Sequence, residues 1–331
     1  MYLPALALPG AFAFLLCAGP TRVVAQDARV AIEPRSSSAP SSSANSANRI
    51  APTFRADGNL VLVPVMVTDT YDRLVTGLEK EHFKLFEDKI EQVVTQFGSD
   101  DAPVSVGLVF DCSGSMGNKL EKSRMAVGEF LKGANPEGEF SLVLFSDSAN
   151  LAVGLTRETE EIRNRLLFTR SQGRTALLDA IYLAMHEMRH ARHARKAILI
   201  ISDGGDNASR YSTRELKKLV READVQIYAI GILEPIAGRA RTLEEMDGPA
   251  LLDTIAEQTG GRLFEVEDTN ELPDIASKIG MALRNQYVLG YTPAKPKNDG
   301  KYHRIQVKVI RPKGLPSLRA SYRAGYVAPV Q

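Results

Sequence analysis

The 331-residue chain has no tryptophan, only two cysteines and only five histidines. Beyond its first residues it has no apolar run of the roughly 20 residues that a membrane-crossing helix needs. Its formal charge is +1, so the overall charge does not suggest a nucleic-acid binder. It has no Gly-Lys-Ser/Thr phosphate loop and no Gly-x-Ser-x-Gly nucleophile elbow. These absences leave little support for nucleotide-driven or serine-hydrolase chemistry. What remains is an ordinary globular composition, 44% hydrophobic and 24% charged, long enough for one large domain and a smaller one.

The first residues differ from the rest. The run "LPALALPGAFAFLLCAG" precedes "TRVVAQDA", with Val23 and Ala25 as small residues before Gln26. Residues 1–25 read as a signal peptide, although the leading residues lack a positive charge. Cys17 follows Leu16 rather than the small residue of a lipoprotein site. Cleavage would leave Cys112 alone and the mature chain without an internal disulfide. The expected location is therefore exported, periplasmic or secreted. Any membrane contact would come from an uncleaved N-terminal segment. Residues 26–50 are rich in Ser and Ala and read as a disordered linker.

From residue 51 to 102 the pattern is β. Val61, Val63, Val65 and Val67 alternate on one face, and "HFKLFEDKIEQVVTQF" reads as two strands around a turn at Glu87–Lys89. Over 103–285, short apolar runs ("VSVGLVFD", "FSLVLFSD", "KAILIISD", "VQIYAIGIL") alternate with amphipathic stretches. That alternation predicts an α/β domain with a doubly wound, mostly parallel sheet. Residues 286–331 return to β, with Ile305, Val307 and Val309, the turn "RPKG", then Leu318, Ala320 and Tyr322. The two β segments are expected to pack together as one β-sandwich-like module, with the α/β domain inserted between them.

Ligands of open α/β sheets bind outside the carboxyl ends of the strands. Asp111 in "DCSGSMG" and Asp203 in "SDGGDN" stand at such ends, and Thr175 in "GRTALLDA" precedes a helix. Singly, Ser113 and Ser115 are turn residues, Thr175 is a helix cap and Asp206 is a solvated loop acid. Together, two carboxylates and three hydroxyls converge on one sheet edge. That oxygen set suits a hard divalent ion: Mg2+, with Mn2+ or Ca2+ as alternatives.

These residues resemble the von Willebrand factor A domains, whose metal-ion-dependent adhesion site has Asp-x-Ser-x-Ser, then a Thr, then an Asp. The resemblance implies a Rossmann-like fold and a metal held by Asp111, Ser113, Ser115, Thr175 and Asp203. The three hydroxyls would coordinate directly, and the two acids directly or through water. It also implies a non-enzymatic protein-binding or adhesion role, with a partner's Asp or Glu completing the ion's shell. The flanking β segments are similar to bacterial exported proteins of the acidobacterial A-domain-related type.

A competing motif is "HEMRH", residues 186–190, which matches the His-Glu-x-x-His zinc-protease helix. Leu177, Ile181, Ala184, Met185 and Met188 form the helix's apolar stripe, with His186, His190 and His193 roughly opposite. Arg189, Arg192 and Arg195 are expected to crowd that cluster with positive charge. The expectation is a solvated basic face. The alternatives are a zinc-dependent hydrolase and a structural envelope protein with a vestigial metal site. An aspartyl-phosphatase reading of Asp111 fails because Ser113 occupies the place of the second Asp. Cys112 is expected to point into packing.

Overall fold

Valine alternation builds the first strand, β1, over Val61–Asp69. Val63, Val65 and Val67 are buried on one face, as a period of two requires. Its other face is also covered: Met66 packs into the core of the α/β sheet. The computed structural model describes residues 60–99, 101–233, 243–293 and 299–329, all within one compact unit. The expected signal peptide and linker, residues 1–50, lie outside the described residues.

The segment expected to give two strands gives three: β2 (Phe83–Glu87), β3 (Ile90–Gln92) and β4 (Gln96–Gly98). Asp88 and Lys89 both take positive φ, 47° and 71°. That is the two-residue turn whose twist matches a hairpin. The chain between β3 and β4 then changes sheet, which a continuous alternation in the sequence does not reveal.

The α/β part contains β5 (Ser105–Asp111), β6 (Glu139–Phe145), β7 (Ala149–Thr156), β8 (Lys196–Ser202), β9 (Gln226–Ile232) and β10 (Leu263–Val266). They form one sheet in the order β10-β9-β8-β5-β6-β7, parallel except for β7. Its helices are α1 (Leu120–Gly133), α2 (Thr159–Leu167), α3 (Leu177–Glu187), α4 (Thr213–Glu222), α5 (Leu243–Thr259) and α6 (Leu272–Arg284). Successive residues of β5 feed opposite cores. Leu108 and Phe110 pack with α1 and α6, whereas Val109 packs with α3, α4 and α5. Every residue of β5 is therefore buried, and the sheet is doubly wound.

After α6 come β11 (Tyr287–Tyr291), β12 (Tyr302–Val309), β13 (Leu318–Tyr322) and β14 (Gly325–Val327). They interleave with the N-terminal strands in two antiparallel sheets, β13-β1-β11-β4 and β14-β12-β2-β3. Val63, Val65, Leu85, Tyr287, Leu289, Ile305 and Val307 share the core between them. This is the β-sandwich-like module expected from the sequence. The "RPKG" stretch carries the chain from one sheet of it to the other.

Candidate functional site

β5 and β8 lie side by side in parallel, with Phe110 level with Ile201, so Asp111 and Ser202–Asp203 arrive at the same edge. Strand order reverses its winding here, since β6 and β8 flank β5 on opposite sides. Asp111 is fully buried. Its Oδ1 accepts the Ser113 amide at 2.8 Å, and its Oδ2 accepts the Ser202 hydroxyl at 2.6 Å. Burial, and then the charge of nearby Asp203, push the Asp111 carboxyl up to about 7, against those two hydrogen bonds.

Past Asp111 the chain makes one turn of 3-10 helix, Gly114–Met116, pinned by the buried Met116 side chain. That turn sets the Ser113 and Ser115 hydroxyls 3.0 Å apart. Adjacent corners of an oxygen octahedron with bonds of about 2.1 Å are about 3.0 Å apart. The two hydroxyls therefore already have the spacing a small hard cation requires.

A second loop, from the end of α2 to α3, is tied to the first by backbone bonds. Gln172 N donates to Cys112 O and Gly114 N to Gly173 O, both at 2.9 Å. The Ser171 hydroxyl donates to Ser113 O. Gly173 sits at φ +80°, where a side chain is strained, and a Cβ there would fall 2.4 Å from Asp147 Oδ2 and push that side chain aside.

A third loop, after β8, holds the second. Asn207 Oδ1 accepts Thr175 N at 3.0 Å, and Asn207 N donates to Thr175 O at 2.9 Å. Thr175 is buried but is not the cap of α3, because Ala176 stands at that position. The first amides of α3 are capped across the loops instead. Leu178 N donates to Asp206 Oδ1 at 3.3 Å and Asp179 N to Ser209 Oγ at 3.1 Å. Asp206 is therefore a positioning residue rather than a free loop acid. Asp111, Ser113, Ser115, Thr175 and Asp203 thus stand on three mutually bonded loops at one sheet edge.

One partner is absent from the sequence-level set. Lys119 Nζ lies 2.9 Å from Asp203 Oδ2, with both side chains buried, 4% and 7% exposed. Two carboxylates and one ammonium leave a formal charge of −1 at the edge. An all-oxygen donor set with residual negative charge fits a hard divalent cation. The nearby Cys112 Sγ lies 3.0 Å from Phe145 O. Burial and then the Asp111 charge raise its thiol to about 11, far from thiolate reactivity.

The histidine motif is arranged differently. α3 ends at Glu187, and Met188–His190 form a separate 3-10 turn. His186 and His190 are exposed with ring centroids 5.8 Å apart, and His193 is half-buried. Glu187 Oε1 accepts the Leu155 amide, which fixes it against β7. Arg195 is not part of the expected basic face. It is buried and donates to the carbonyls of Ala102 and Leu283 and to Gln286. The expectation failed because the chain leaves the helix before Arg195, so the three-residue spacing of the arginines no longer defines a face.

A family model for the von Willebrand factor type A domain matches residues 105–278. The chain belongs to that family. It is 24% identical over 188 residues to an uncharacterised protein of Borreliella burgdorferi, covering 50% of this chain and 55% of that protein. It is 29% identical over 146 residues to inter alpha-trypsin inhibitor heavy chain 4 of Mus musculus, covering 39% of this chain and 16% of that protein. The chain thus spans about half of one curated relative and a small part of the other. Among solved structures it is similar to the von Willebrand factor type A protein of Catenulispora acidiphila. That match has 14% identity and a TM-score of 0.48, covering 83% of this chain and 76% of that one. A domains are generally protein-interaction and adhesion modules. No helix among the described residues is long and apolar enough to cross a membrane.

Proposed function

We propose that this A domain binds a protein partner through a divalent cation at the carboxyl edge of its six-stranded sheet. Mg2+ is the first candidate, and Mn2+ or Ca2+ could replace it. Asp111, Ser113, Ser115, Thr175 and Asp203 would hold it. The observation that carries this reading is the Ser113–Ser115 hydroxyl pair at 3.0 Å beside the buried Asp111 carboxylate. The bound ion supplies a positive centre that an Asp or Glu side chain of the partner can ligate. Because three of the five donors are neutral hydroxyls and the Lys119 ammonium offsets one of the two carboxylates, a net positive charge remains for the partner's carboxylate. Ser202 and the Ser113 amide orient Asp111, while Asn207 fixes the backbone around Thr175. The role is binding rather than catalysis. The apolar N-terminal stretch before Gln26 supports a site of action outside the cytoplasm.

A second reading has one observation in its favour. The Lys119 ammonium already compensates Asp203, so the site can be a vestigial one in a structural envelope protein. Calorimetric titration of the protein with Mg2+ and Mn2+, with acetate present as a stand-in carboxylate, separates the two. One ion per chain, lost in Asp111→Asn, supports the metal-dependent reading. Equal and negligible heats for both proteins would support the vestigial one.

A further inference from the structure

A second cluster of ligating side chains lies in the β-sandwich, outside the sheet-edge site. Glu87 ends β2, Asp88 opens the hairpin turn after it, and His303 sits on the adjacent strand β12. His303 Nδ1 is 2.8 Å from Asp88 Oδ2 and 3.9 Å from Glu87 Oε1. One ligand atom from each of the three residues lies within 4.8 Å of the others. Glu87 and His303 are 5% and 3% exposed, whereas Asp88 opens to solvent.

The surroundings are those of a ligand set. The other ring nitrogen of His303, Nε2, is 3.2 Å from Asp299 Oδ1. Metal-ligating histidines characteristically donate their second N–H to a carboxylate in this way. Glu87 is oriented likewise: its Oε2 accepts the hydroxyls of Tyr291 at 2.7 Å and Tyr326 at 3.2 Å. Its Oε1 faces His303 Nδ1 at 3.9 Å.

The donor chemistry selects the ion. One imidazole nitrogen with two carboxylate oxygens suits zinc-class cations, whereas Mg2+ and Ca2+ favour oxygen alone. Corners of a tetrahedron with bonds of 2.0–2.1 Å are about 3.3 Å apart. The observed separations of 2.8 and 3.9 Å bracket that value. An ion would open the first and close the second by about half an ångström each.

We propose that Glu87 Oε1, Asp88 Oδ2 and His303 Nδ1 bind a zinc-class divalent cation, with solvent entering at a fourth position from the open side of Asp88. Such an ion clips the β2–β3 turn onto β12 and stabilises the sandwich independently of the sheet-edge site.

The test is Co2+ titration of the full chain carrying His186→Ala and His190→Ala, which removes the exposed histidine pair. The expected result is one tetrahedral Co2+ per chain, read by its visible spectrum and displaced by Zn2+. Asp88→Asn, whose amide side chain tolerates positive φ, should abolish the spectrum while the protein stays folded. It carries the test even where His303→Gln does not fold. Asp299→Asn should weaken binding about tenfold. Asp111→Asn should leave the spectrum unchanged. Absence of stoichiometric uptake, uptake unaffected by Asp88→Asn, or a spectrum lost in Asp111→Asn would each overturn the proposal.

Discussion

The two acidic clusters of this chain are built from opposite materials. At the sheet edge, carboxylates keep company with hydroxyls and one ammonium, gathered from three loops that are far apart in sequence. In the sandwich, carboxylates meet an imidazole and two phenols on neighbouring strands. The first set of donors is all oxygen, while the second is mixed, with Glu87 and His303 buried and Asp88 open to solvent. The proposed partner-bridging ion and the proposed zinc-class clip call for these two designs respectively. The difference also predicts that the clusters respond to separate metals and separate mutations.

The sharpest way to break the comparison is Asp111→Asn. It should abolish Mg2+ and Mn2+ binding, read by calorimetry, without changing the tetrahedral Co2+ spectrum of the sandwich. Cross-talk between the two sites would contradict their independence. Asp111→Ala is a harsher change, because it also strands the Ser113 amide and the Ser202 hydroxyl. It should cost about 1–3 kcal/mol in metal-free denaturation, partly offset by relief of the buried charge.

Lys119→Met separates the sheet edge from a simple acidic cluster. Removing a buried ammonium leaves Asp203 uncompensated, so metal-free stability should fall by about 3–5 kcal/mol in denaturant titration. Mg2+ affinity should rise about tenfold, because a cation no longer competes for the same carboxylate. A variant that loses affinity instead would make Lys119 part of the binding machinery rather than a competitor.

The pH response is next in size. The Asp111 carboxyl is raised to about 7 in the folded state, so the native chain holds a proton that the unfolded chain releases near its ordinary value of 3.8. The stability it contributes is full below pH 3.8 and is lost as pH rises through about 7, on the order of a few kcal/mol. Metal-free melting of the parent protein should therefore lose ground to Asp111→Asn across that window.

The smallest expected effect concerns the cap. Asp206→Ala removes the acceptor for the Leu178 amide and should cost about 1 kcal/mol by thermal melting. A loss far above that value would mean that Asp206 holds the whole loop bundle together.

Much of the fold was legible because its signals are local. The buried runs of β5, β6, β8 and β9 and the valine alternation of β1 need no tertiary information. β7, β10 and β11 were missed: β7 is an edge strand with mixed exposure, and β10 is only four residues long. The candidate site was legible where its residues are consecutive, as in "DCSGS". Ser202, Lys119, Asn207 and Asp206 became visible as parts of it through bonds between loops. The sandwich cluster was missed for the same reason, since Glu87 and His303 are brought together by the β2–β12 register alone. Its local signal was an Asp in a positive-φ hairpin turn, which reads as turn chemistry.

The most direct test of the account is calorimetric titration of Mg2+ into the protein and its Asp111→Asn variant, both in saturating acetate. The account predicts one saturable site in the parent and none in the variant. Negligible binding in both, or equal binding in both, would contradict a metal-dependent role for the sheet edge.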